Sequence, residues 1–370
     1  MKRFAVAVLL VVATAVLAAS AHAAKPKQKT PPCGATLGVI APVTGPAATI
    51  GREIVNWTRL GVANWNKAHH TRYTLVEADT QLSPAAASTI AQQFVSNPKI
   101  VGTVGPAASQ EVVAAGPIFN RAHLAVVSPT ATLTSLTTDG TLHDFFRVVA
   151  RDDAQAPTAA NYIAGQLHAK HVMIIDDQSS FSTGLAASAA PILQKAGVTV
   201  DRESVAQTAT DFSSLIATIA PGDVVFLTWQ LPANIKLFVQ QLHAQSKSNT
   251  TFATTFDGGT DFVSSFSINV HTYAPDAAIA HQYEAKYGTN YTGQFGPPSY
   301  VSAQVLMSAI DSLCAARKAV TRPNVVAAVR KVRIPNSILG RTIAFDSRGD
   351  IKNGQFYIYK LSNGNYVPAP

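Results

Sequence analysis

Two adjacent pairs of side chains have the types and spacing that could do chemistry. Asp176-Asp177 closes the apolar run Val172-Met-Ile-Ile-Asp176, where paired carboxylates could do acid–base work or hold a metal. Neighbours on a strand point to opposite faces, so ordinary loop capping is the simpler reading of the pair. His69-His70 could ligate a metal, yet neighbouring residues at a helix end also diverge. The ten histidines are scattered. There is no G-x-G-x-x-G, G-x-x-x-x-G-K-[ST], G-x-S-x-G or H-E-x-x-H, and no nucleophile, base and oxyanion donor assemble. The expected protein is therefore not an enzyme and carries no cofactor. Cys33 and Cys314 are the only cysteines, which excludes a disulfide scaffold or a cysteine-built zinc site. Lys29-Thr30-Pro31-Pro32 before Cys33 is no lipobox. One long-range bridge and two free thiols both stay open.

What must position any site is an alternation of short β-branched runs with helical patterns. Strands are expected at Ala35 to Pro42, Tyr73 to Ala78, Ile100 to Gly105 and Leu124 to Ser128, with helices at Glu53 to Lys67, Pro84 to Val95 and Ser109 to Arg121 between them. Continuous apolar strands imply parallel sheets covered on both faces. The rhythm resets after Asp152-Asp153. Helices at Ala154 to His168, Phe181 to Lys195, Asp211 to Ile219 and Pro232 to Gln245 alternate with strands at Val172 to Asp176, Val198 to Val200, Asp223 to Trp229 and Thr251 to Phe256. Helices at Ala278 to Tyr287, Ser299 to Ala315 and Pro323 to Val332 follow, then strands at Thr342 to Phe345 and Gln355 to Lys360. The fold class is α/β, two doubly wound lobes with mainly parallel sheets.

With 370 residues, 47% hydrophobic and 14% charged, the chain lies far from the composition of disordered proteins. Its length suits about two domains. Lys2-Arg3, the apolar run Phe4 to Ala19 and Ala21-His22-Ala23 read as a signal peptide cleaved near Ala23. A periplasmic or secreted location is expected. The net charge of +8 falls to about +6 once Lys2 and Arg3 leave. Lys25, Lys27 and Lys29 gather in the leader, and Arg317, Lys318, Arg322, Arg330, Lys331 and Arg333 near the end. The second group could dock an anionic surface, although a solvated helical face is the simpler reading. No aromatic residues interleave with it, and no nucleic-acid partner is expected.

The ordered set Gly38-Val-Ile-Ala-Pro-Val-Thr-Gly45 with Gly51, Gly102-Thr-Val-Gly-Pro-Ala-Ala-Ser109, Val127-Ser-Pro-Thr-Ala-Thr132, Ala156-Pro-Thr-Ala-Ala160 and Phe345-Asp-Ser-Arg-Gly-Asp350 resembles the branched-chain amino-acid-binding (Leu/Ile/Val-type) proteins of ABC transporters, with the type I periplasmic binding fold. The resemblance runs from Leu37 to Tyr359. It implies two lobes joined by three crossings, near Ala150, Tyr273 to Ala274, and Phe345 to Asp350. The implied division is 1–23 signal peptide, 24–34 leader, 35–150 first lobe, 151–274 second lobe, 275–344 return to the first lobe and 345–370 second lobe. It places Cys33 and Cys314 both in the first lobe.

By the same resemblance, a ligand carboxylate is held by Ser109, the backbone of Thr130 and the Thr132 hydroxyl. Ser109 opens a helix, whose free amides and dipole favour an anion; it could equally be a plain N-cap. Asp257, in Thr255-Phe-Asp-Gly-Gly259, matches the acid that pairs with a ligand ammonium, and Asp before Gly-Gly is also an ordinary turn. Ile50 stands where the family often has an aromatic residue, Phe181 where tyrosine is common, and Gln230, beside Trp229, where an aromatic ends the strand; Tyr300 is kept. The function implied is that of an extracytoplasmic solute-binding protein of an ABC importer, an expected monomer. It closes on a small solute, an amino acid in the first instance, and delivers it to a membrane permease. A ligand sensor for a receptor, or a binder of amides, urea-like solutes or aromatic acids, is the alternative.

Overall fold

The structure, a computed structural model, describes residues 33–247, 250–254, 263–266, 277–288, 295–362 and 365–369. The signal-peptide region, the crossing at Tyr273 to Ala274 and Asp257 lie outside the described residues.

The first sheet is built by β1 (Thr36–Ala41), α1 (Ala48–His69), β2 (Thr74–Asp79), α2 (Pro84–Ser96), β3 (Ile100–Val104), α3 (Ser109–Arg121), β4 (Ala125–Ser128), α4 (Ser135–Thr138) and β5 (Phe145–Arg147). Its five strands run parallel in the order β2-β1-β3-β4-β5. β3 and β4 are buried along their whole length, as unbroken apolar strands between two helical layers must be. Pro84 occupies the first turn of α2, and the Ser83 hydroxyl caps it by accepting from the Ala86 amide at 3.3 Å.

The second unit runs through α5 (Asp152–Gly165), β6 (His171–Asp176), α6 (Ser180–Lys195), β7 (Thr199–Ser204), α7 (Ser213–Thr218), β8 (Val224–Leu227), α8 (Pro232–Ala244), β9 (Thr251–Thr254) and β10 (Val263–Phe266). The chain then forms α9 (Ala277–Tyr287), α10 (Gly296–Ala315), α11 (Arg322–Val329) and the small hairpin partners β11 (Arg333–Ile334) and β12 (Ile343–Ala344). It ends in β13 (Tyr357–Ser362) and β14 (Asn365–Pro368). The second sheet has the order β14-β13-β10-β9-β8-β6-β7, parallel except that β13 pairs antiparallel with both β10 and β14. The sequence pattern did not predict α4, β5, β10 or β14, each four residues or fewer.

Phe345 and Ile351 belong to the core of the first sheet together with Val104, Phe146 and Leu306. The first-lobe return therefore extends past the expected limit at 344, and the chain leaves it only between Ile351 and β13. The cause is an ion pair: Asp350 bridges to β5 beside Arg147, whose Nε donates to its carboxylate at 2.6 Å. Gly349 makes the approach possible, with φ +94° and a Cβ position only 2.2 Å from the Phe145 carbonyl oxygen. The cysteines form a bridge, S–S 2.00 Å and Cα–Cα 6.0 Å, that ties the start of β1 to α10 across 281 residues.

Candidate functional site

A cavity opens at the carboxyl ends of the strands of both sheets, where open α/β sheets bind ligands. It holds about 650 Å³ of empty space, part of it open to solvent. The first sheet supplies Pro42 after β1, Ile50 on α1, Leu82 after β2, Ala107 to Ser109 after β3, and Thr130 and Thr132 after β4. The second unit supplies Gln155 from α5, Phe181 from α6 and Gln230 after β8; Phe295, before α10, and Phe356, before β13, complete the wall.

Ser109, Thr130, Thr132 and Gln230 on this wall are set by their neighbours. Ser128 Oγ donates to the Pro106 carbonyl at 2.8 Å and accepts from the Ala131 amide at 3.1 Å, fixing the loop that carries Thr130 and Thr132. Thr130 Oγ1 donates to the Ala107 carbonyl at 2.5 Å, so its hydroxyl proton is already used. Ser109 Oγ accepts from the Leu133 amide at 3.3 Å, which leaves its proton to donate into the cavity. The N-cap of α3 is Ala108 and not Ser109, because the Ala108 amide donates to the Glu111 carboxylate at 2.9 Å. Burial raises the Glu111 carboxyl above its ordinary range, against the Thr80 hydroxyl and the Ala107 and Ala108 amides.

Thr132 is backed by Asp152, the first residue of α5, whose amide donates to the Thr132 carbonyl at 2.9 Å. Burial pushes the Asp152 carboxyl up to about 7, while the Thr132 hydroxyl and the Arg147 charge pull it down. Arg147 also donates to the Ala131 and Leu133 carbonyls, at 3.1 and 2.8 Å, so it holds both residues that flank Thr132.

On the opposite wall Gln230 Oε1 accepts from Gln110 at 2.8 Å and from Gln207 at 3.1 Å. The Gln110 bond crosses from α3 to the loop after β8, and Leu231 packs beside it against Ala47, Leu82 and Ala108. The Gln230 amide donates to Asp177 at 2.7 Å. Asp177 also accepts from the Ser179 amide and hydroxyl and from Gln207, and Asp176 accepts from the Gln178 amide and the Ser204 hydroxyl. The carboxylate pair is thus engaged in loop capping. Among the described residues no group of three His, Cys, Asp or Glu side chains could hold a metal, so His69-His70 has no such company.

Of the expected site residues, Ile50, Ser109, Thr130, Thr132, Phe181 and Gln230 stand on the cavity wall. Trp229 does not. It is buried with its ring centroid 5.1 Å from Phe212 and 5.4 Å from Phe238, because alternation along the extended chain sends Trp229 away when Gln230 faces the cavity. Tyr300 is also elsewhere: α10 turns it toward α1, 6.2 Å from the Trp57 ring. Gln155, Phe295 and Phe356 were not expected from the sequence. Phe295 is held by Glu53, which accepts from the Gly296 amide at 2.8 Å and whose carboxyl burial pushes up to about 7. None of the described wall residues carries a charge.

Two doubly wound units with a cavity at their strand ends define the class, and a family model described as periplasmic binding protein matches residues 34–365. The chain belongs to the periplasmic binding protein family and has its type I fold. It is 28% identical to the Leu/Ile/Val-binding protein BraC3 of Rhizobium johnstonii, over 90% of this chain and 93% of that one. It is 26% identical to an amino acid binding protein of Pseudomonas aeruginosa, over 100% and 99%. The leucine binding protein LivK of Thermotoga maritima superimposes with a TM-score of 0.81 at 20% identity, over 91% of this chain and 98% of that one. A solute binding protein of R. palustris in complex with benzoate superimposes with a TM-score of 0.79 at 16% identity, over 90% and 95%.

Proposed function

We propose that this protein is the extracytoplasmic solute-binding component of an ABC importer. It closes its two lobes on a small solute, an amino acid in the first instance, and hands it unchanged to a membrane permease. The observation that carries this reading is the Ser109 hydroxyl, which accepts from the Leu133 amide and so has its proton left for a ligand carboxylate. The first-turn amides of α3 lie beside it, where the helix dipole favours an anion. The names of the curated relatives, Leu/Ile/Val-binding and amino acid binding, support the same solute class. In this reading Asp257 meets the ligand ammonium from the second lobe. The protein works as a monomer, without cofactor or nucleic acid, after export and cleavage near Ala23. Among the described residues no helix is long and apolar enough to cross a membrane.

A second reading follows from Phe181, Phe295 and Phe356 together on an otherwise uncharged wall. That surface suits an aromatic acid, the solute class of the benzoate-bound neighbour. A thermal-shift screen of branched-chain and aromatic amino acids, small amides and benzoates decides between them, since a ligand at about 100 times its Kd stabilises the fold by about 2.7 kcal/mol. Selective stabilisation by an amino acid is expected. Stabilisation by benzoates alone would replace it with the second reading, and silence from every solute would overturn both.

A further inference from the structure

The basic cluster near the end of the chain is not uniform. Arg322 and Arg330 turn inward and brace α11. Arg322 donates to the carbonyls of Phe94, Asn97 and Ile100 at 3.1, 2.8 and 3.0 Å, and Arg330 to those of His143 and Ser347. Lys318, Lys331 and Arg333 are exposed, and they converge on a groove between α10 and α11. The groove holds about 890 Å³ of empty space counted to its open mouth, more than the ligand cavity on the same measure, and it lies outside that cavity. Its apolar lining includes buried Leu313 and Val332, half-buried Ala328 and exposed Ala327.

We infer that this groove is a docking site for an acidic polypeptide segment of a partner protein, one that seats an apolar side chain between flanking carboxylates. Three observations point to that occupant. The rim is cationic and the lining is apolar, so charge complementarity requires acid outside and hydrocarbon inside. The cations are exposed at the mouth, whereas a small free anion is best held by donors converging in a water-excluded pocket. The walls are preformed: the Cys33–Cys314 bridge fixes α10 next to Leu313, the two inward arginines fix α11, and the Asn324 side-chain carboxamide closes the turn between them by donating to the Ala319 carbonyl at 2.8 Å. A preformed site spares the partner the ordering cost of building it. The inference goes beyond the proposed function and holds whether the partner is a permease or a receptor.

The test uses the full exported chain and a fluorescein-labelled decapeptide alternating leucine and glutamate, followed by anisotropy. Saturable binding is expected, weakened at least tenfold by the triple variant Lys318→Glu/Lys331→Glu/Arg333→Glu. A comparable loss is expected in Ala327→Trp, which keeps every charge but fills the groove. Arg317→Glu, an exposed cation off the groove, should change affinity less than twofold. A peptide carrying a photo-reactive leucine analogue should cross-link to α10 or α11 of the unaltered protein, a readout independent of whether Ala327→Trp folds. No saturable binding, undiminished binding to folded Ala327→Trp, equal loss in Arg317→Glu, or cross-links elsewhere would each overturn the inference.

Discussion

Behind the first-lobe wall of the cavity, Asp350 is held by cations, Arg147 at 2.6 Å and Arg151 at 2.8 Å. Behind the opposite wall, Asp177 is held by neutral donors alone: the Ser179 amide and hydroxyl, the Gln207 carboxamide and the Gln230 amide. The ionic cluster joins β5 to a segment about 200 residues later and reaches Thr132 through the Ala131 and Leu133 carbonyls. The neutral one ties together the loops after β6, β7 and β8, over spans of 30 and 53 residues, and aims Gln230. Charge is used where passes of the chain about 200 residues apart must meet, and neutral hydrogen bonds where neighbouring loops at one sheet edge must hold together. Losing the first should cost fold and site together; losing the second should cost mainly the site.

The largest effect is expected for Arg147→Met. It leaves Asp350 buried with one cation fewer, and breaking a buried pair costs about 3–5 kcal/mol. Urea denaturation should show this loss, and Arg147→Met/Asp350→Leu should recover most of it. A single variant as stable as the parent would remove the ionic side of the contrast.

Asp152 sharpens it next. Burial raises its carboxyl in the fold to about 7, from 3.8 when unfolded. The stability this provides is complete below pH 3.8 and is lost as pH rises to about 7, by a few kcal/mol at about 1.4 per unit. Asp350 runs the other way, because Arg147, Thr137 and Arg151 together outweigh its burial and lower its pKa. Its contribution is present above the ordinary carboxylate range and lost as pH falls through its folded value. Asp152→Asn should flatten the decline between pH 4 and 7 in unfolding free energy and leave the acid limb intact. A decline of unchanged slope would refute the assignment.

Ser109→Ala removes one hydrogen bond to a charged ligand group, worth about 1.5–3 kcal/mol, so calorimetry should find affinity down roughly 10- to 150-fold, with a stability loss of about 1 kcal/mol from the Leu133 amide left without its acceptor. The smallest effect belongs to Asp177→Asn. The carboxamide keeps the volume and some of the bonds but not the charge, for a loss of about 1 kcal/mol, read as weaker ligand binding with little change in the urea midpoint. A larger stability loss there than in Arg147→Met would invert the comparison.

Where sequence pattern and local physics coincide, the fold was legible. α3 spans Ser109–Arg121 as expected, and α2 begins at Pro84 as expected. β5 escaped because three residues have no periodicity. Arg147 escaped because a lone arginine in Phe-Phe-Arg-Val-Val does not announce that it will be wholly buried; only the return of Asp350 explains it. The hydroxyl segments were offered by the family resemblance, and the structure sets them on the cavity wall directly after apolar strands. Phe295 and Phe356 could not, since they reach the cavity from returning segments whose destination is a matter of topology. The Trp229 error was avoidable: two consecutive extended residues cannot both face one cavity.

The Cys33–Cys314 bridge also sets an order of events. A ribosome adding about 5–20 residues per second finishes Cys33 well before its partner, 281 residues later in the chain. During that interval α5 to β10 are all made, so the core of the second lobe can fold as an insertion while the first lobe still lacks α10. The first lobe begins first yet waits for α10 and α11, β13 and β14 join the second sheet last of all, and Cys33 cannot pair before Cys314 has been synthesised.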